Sequence, residues 1–148
     1  MRAFAIALSL LLGAAVAQPT LAAPKKKETE EKKKKVDEKK FPTDGVWTLV
    51  ELNGKGVGGE APTLMIDAQY RGQGFAGCNT YSATIYPIKD MRLAMGPVAM
   101  TKKACPADRM KLEQMFLAVL RTGPNWDVNG SDMTIKSQAG SLKLRRGF

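Results

Sequence analysis

The chain has 148 residues, of which 44% are hydrophobic and 25% charged, and a formal net charge of +9 at pH 7. That length suits one modest domain and excludes an assembly of several. It contains no histidine, which removes the commonest general base and transition-metal ligand, so neither a metal, a cofactor nor a catalytic residue is expected.

Residues 1–22 read as a signal peptide. Arg2 precedes an apolar run from Ala3 to Ala17, broken by Ser9 and Gly13, and small residues follow at Ala17 and at Ala22. The run is too short for a membrane span, and cleavage near Ala22 is expected. No cysteine follows it for a lipid anchor, so the mature protein is expected to be periplasmic or secreted.

Residues 23–42 read as a Lys/Glu-rich disordered tether. Between Pro24 and Lys40 stand nine lysines, five acids and one apolar side chain, Val36, too little to offset the entropy of ordering. Much of the positive charge therefore belongs to a tail, and the rest of the chain is only mildly cationic. The tail is read as a solubilising spacer, with electrostatic contact to anionic membrane or cell wall as the functional alternative. Nucleic acid is not expected as a partner.

Residues 43–148 read as one folded domain. Gly45 to Leu52 alternates with Trp47, Leu49 and Glu51 on one side, and stops at Asn53-Gly54, a pair suited to a tight hairpin. Thr63 to Asp67 and Tyr70 to Phe75 give two further strands. Gly72, Gly74 and Gly77 match the dinucleotide fingerprint letter for letter, but that mechanism needs a helix N-terminus after the glycines. The next segment, Thr80 to Tyr86, is β-branched and aromatic and stops before Pro87, so it is a strand and the nucleotide reading fails. Met91 to Met95 and Val98 to Thr101 are short strands.

From Pro106 to Arg121 the period changes. Leu112, Met115, Phe116, Val119 and Leu120 recur at helical spacing, Asp108 complements the N-terminal dipole, and Gly123-Pro124 ends the segment. Asn125 to Val128, Asp132 to Lys136 and Ser141 to Arg145 close the chain as strands. The fold class expected is mainly β, an antiparallel meander curled into a barrel or half-barrel, with one amphipathic helix over about 106–121 packed against it.

Trp47-x-Leu49, Gly77-Cys78-Asn79-x-Tyr81, Thr101-x-x-x-Cys105-Pro106 and the helix carrying Phe116 and Leu120 together resemble the META domain, or HslJ-like, family of bacterial envelope and stress proteins. The resemblance runs from Gly45 to Phe148. It implies a barrel-like antiparallel fold with one helix, and a role in envelope stress and drug tolerance without an established catalytic activity or ligand. Ser82-Ala83 departs from it, standing where members often carry a further glycine.

In an exported protein the lone cysteine pair, Cys78 and Cys105, most simply forms a disulfide. A redox thiol at Cys105, at a helix N-terminus near Lys102 and Lys103, is the alternative. Gly77, Asn79, Tyr81, Thr101 and Lys102 form the candidate binding corner; against that, Asn79 has the simpler role of holding the bend after the glycines. The carboxylates, Glu113 among them, read as solvated caps and turns. The function expected is a monomeric, non-catalytic envelope module binding a protein or small ligand. The alternatives are a thiol-dependent redox protein and a small outer-membrane barrel.

Overall fold

The computed structural model describes residues 39–147. The expected leader, most of the Lys/Glu-rich segment and Phe148 lie outside the described residues.

The elements in chain order are β1 (Val46–Leu52), β2 (Lys55–Gly56), β3 (Thr63–Ile66), β4 (Arg71–Phe75), β5 (Thr80–Ile88), β6 (Arg92–Met95), β7 (Ala99–Met100), α1 (Ala107–Arg121), β8 (Asn125–Asn129), β9 (Asp132–Ser137) and β10 (Gly140–Arg146). All pairings are antiparallel. Around the ring the order is β1, β3, β4, β5, β6, β8, β9, β10, and β10 returns to β1, so eight strands close a barrel. β2 is a hairpin stub on β1, and β7 pairs β5 beyond the end of β6.

The seams are unequal. β1 and β10 pair over five positions, from Trp47 opposite Arg146 to Leu52 opposite Leu142. β6 and β8 share only Arg92 opposite Asn125. Across this thin seam α1 packs against β6, β9 and β10, and it inserts Phe116, Leu117, Val119 and Leu120 into the interior.

Alternation along the strands fills that interior. Trp47 and Leu49 from β1, Leu64 and Ile66 from β3, Ile85 from β5, and Met133, Ile135, Leu142 and Leu144 from the last two strands are all buried. Most outward positions carry polar side chains, Gln73, Ser82 and Arg145 among them, with Val46, Tyr86 and Ile88 as large apolar exceptions. An apolar inside and a polar outside is the inverse of what a lipid-facing barrel requires, so the outer-membrane alternative does not fit.

The structure corrects three details of the sequence reading. The β1–β10 register shifts between Leu49 and Glu51, a bulge that turns Leu52 inward and leaves Glu51 outside, 3.5 Å from the ammonium of Lys143. β5 runs through Pro87, which sits opposite Leu93. The missing N–H is harmless there because it falls on the side where β4 has ended, the last bond being Ile85 N–H to Tyr70 O at 2.9 Å. Finally, Phe41, assigned to the tether, is buried edge-on against Trp126 with ring centroids 4.9 Å apart, so the folded region reaches back two residues further than expected.

Candidate functional site

The two cysteines are joined: Cys78 and Cys105 form a disulfide with Cα atoms 5.9 Å apart across a sequence separation of 27. Cys78 belongs to the β4–β5 connection and Cys105 immediately precedes the N-cap of α1, Pro106, so the bond ties the barrel to the start of the helix. The thiol-dependent alternative needed a free Cys105, and here its sulfur is bonded.

Gly77 makes the close approach possible. Its φ is +124°, and a Cβ there would lie 3.3 Å from the amide nitrogen of Glu113 and from Leu112 Cγ, so the connection lies directly on α1. Asn79 then joins three segments. Its side-chain carbonyl accepts from the Thr101 hydroxyl at 2.8 Å and from the Lys103 amide at 2.7 Å. Its amide group donates to Glu113 Oε1 at 3.2 Å, while its own backbone N–H donates to Glu113 Oε2 at 2.6 Å.

Glu113, read as solvated, is therefore buried and bonded through both oxygens. A signal for this existed in the chain. Glu113 precedes Phe116, Leu117 and Leu120 by three, four and seven residues, which places it on the buried stripe of the helix.

Arg109, one turn earlier, extends the same clasp. Its guanidinium donates to Gly77 O at 2.9 Å, to Gly58 O at 3.3 Å and to Glu60 O, and stands 5.9 Å from the centre of the Phe75 ring. One cation thus gathers the β2–β3 loop and the β4–β5 connection onto the helix, with three neutral carbonyls as its partners.

Tyr81 points into the core. Its hydroxyl donates to Thr63 O at 3.0 Å, its ring meets Phe116 edge-on at 6.0 Å, and burial pushes its pKa far above the ordinary phenol value. A Cβ at Gly74, opposite Tyr81, would stand 2.1 Å from that same Thr63 oxygen, so only glycine fits this turn of the barrel wall.

The expected binding corner is thereby divided. Gly77 and Asn79 are internal fastenings, Tyr81 and Thr101 each make an internal fastening and also line an open concavity, and Lys102 is exposed outside it. That concavity, about 610 Å³, lies on the outer surface where β1, β3, β4, β5 and β7 meet. Val46, Met65 and Met100 give it apolar character, and Gln73, Thr80 and Ser82 give it hydrogen-bonding groups. Among the described residues no group of three or more Cys, Asp or Glu side chains is placed to hold a metal ion.

Comparison with known proteins agrees with this geometry. An NMR structure 20% identical in sequence superposes with a TM-score of 0.60, covering 68% of this chain and 87% of the other. A second NMR structure, of a protein from Burkholderia xenovorans, is 22% identical with a TM-score of 0.57, covering 71% and 83% respectively. At these identities the likeness is one of fold. No curated protein matches the chain. The META domain family model matches residues 41–146, beginning at the buried Phe41 and ending with β10, and the chain belongs to the META domain family.

Proposed function

We propose that this protein is a non-catalytic META-type binding module of the bacterial envelope, exported by its leader and engaging a protein or small ligand in envelope maintenance or stress tolerance. The observation that carries this reading is the division of roles across β5. The inward Tyr81, with the neighbouring Cys78 and Asn79, fastens the barrel to its helix, while the outward Thr80 and Ser82 face the open concavity of about 610 Å³. Half-exposed methionines beside polar groups on rigid strands suit recognition of a partner surface or of a small, partly apolar molecule. Export is supported by the sequence of residues 1–22 and by the disulfide, which is favoured in oxidising compartments.

The test is photo-crosslinking in living cells from a probe at Gln73 or Ser82, with a probe at Lys136, on the far side of the ring, as control. A discrete adduct from the first two sites alone supports the reading; no adduct, or equal labelling from all three, overturns it. The intact mass of the protein released by osmotic shock reports whether the chain begins near Ala23.

A further inference from the structure

A second concavity, of about 570 Å³, lies where the Lys-rich sequence meets the barrel. It is lined by Phe41, Pro87, Met91 and Trp126, with the half-exposed Ile88 at its edge, and by Lys39, Lys40 and Lys89 at its rim. No carboxylate lines it. Lys39 is held by Asp127 at 2.6 Å and by Val128 O at 3.0 Å, which fixes the rim in place. Lys40 and Lys89 are exposed and have no ion-pair partner among the described residues; Asp90, next to Lys89 in the turn, does not face the cleft.

Beside the cleft the outer face of β5 presents two large apolar side chains two residues apart, Tyr86 at 42% exposure and Ile88 at 39%. Strand alternation puts both on the same side, with Arg92 opposite Ile88 across the β5–β6 pair. The sequence from Pro24 to Glu38 carries seven lysines against five acids, so it adds a net charge of only +2 to that of the rim.

We propose that this cleft, with Tyr86 and Ile88 at its edge, is where the folded domain docks on an anionic lipid bilayer. The lysines meet headgroup phosphates, while Tyr86 and Ile88 enter the interfacial layer, where an aromatic with a polar tip and an aliphatic side chain are both favourable. A small soluble anion would satisfy the lysines and leave the two apolar side chains in water; a bilayer answers both. The inference stands apart from the outer concavity and holds whether or not a partner binds there.

The test is co-sedimentation of the mature chain, beginning at Ala23 without the apolar leader, with vesicles of phosphatidylcholine alone and with about 30% phosphatidylglycerol, at about 0.1 M salt. Binding to the anionic vesicles only is expected. Replacing Lys40→Gln together with Lys89→Gln should weaken it about 25-fold, at about five-fold per lysine near a charged surface. Ile88→Asp should weaken it about ten-fold, with an unchanged near-ultraviolet circular dichroism spectrum showing that the fold is kept. Three results would overturn the proposal: these variants binding like the parent while glutamines at Lys32 to Lys35 abolish binding; equal binding to neutral vesicles; or displacement by free glycerol phosphate.

Discussion

Replacing Glu113 with glutamine exchanges one oxygen for an amide nitrogen in a place where both positions must accept. The Lys103 amide and the Thr101 hydroxyl donate to Asn79 Oδ1, so the Asn79 side chain has one orientation and its NH2 group faces Glu113. The Asn79 backbone N–H meets the other carboxylate oxygen. Glutamine offers one acceptor and one donor group, so one N–H of Asn79 would face another N–H. Loss of a charge-assisted hydrogen bond and the stranding of a buried donor together give a cost of about 2–3 kcal/mol, or a fall of about 10 °C in Tm for a domain of this size. Urea unfolding followed by tryptophan fluorescence, with the disulfide intact, measures it. The decisive companion is Asn79→Asp: alone it sets two carboxylates against each other, but combined with Glu113→Gln it restores one acceptor facing one donor. The double variant should therefore be more stable than the sum of the single losses implies by at least about 1.5 kcal/mol. A Glu113→Gln protein within about 0.5 kcal/mol of the parent, or strictly additive losses, would refute the assignment.

Two further outcomes are expected. Cys78→Ser and Cys105→Ser should each lower stability by about 3.5 kcal/mol, equally, because either opens the same loop of separation 27; unequal losses would point to a separate role for one sulfur. Tyr81→Phe should cost about 1 kcal/mol near neutral pH by leaving Thr63 O without its donor. Because burial raises the Tyr81 pKa above its ordinary 10.0, the unfolded chain ionises first. Parental stability is therefore unaffected by this group below that pH and falls above it. By pH of about 11 the parent should have lost about 1.4 kcal/mol more than Tyr81→Phe, measured by paired urea titrations.

The positions of most strands and of the helix are legible in the sequence because they follow from local pattern. Alternation at Trp47 and Leu49, the Asn53-Gly54 turn, and the change of period after Pro106 each occupy a short window. The glycine fingerprint leads into β5 instead of a helix, and its glycines are explained by close approach, Gly74 to Thr63 and Gly77 to α1. The hidden features depend on distant partners. The bulge at Leu49 is a matter of register with β10, and the tolerance of Pro87 depends on where β4 stops. Phe41 sits in a charged context that outweighed a single aromatic, although Trp126 lies 85 positions away to receive it. The roles of Glu113 and Arg109 arise from the meeting of loop and helix, which residue types alone do not announce.

The closing pair of the ring joins the first strand to the last, with Trp47 across from Arg146. A nascent chain therefore exposes one edge of β1 until β10 has been made. Leu142 and Leu144, which complete the interior, arrive within the last seven described residues. A premature stop codon before Gly140 would leave most of the polypeptide intact yet remove both the seam and two core side chains, so the product should aggregate through its open edge. Closure is thus a check on the synthesis of β10: the barrel shuts only on a chain that includes Gly140–Arg146.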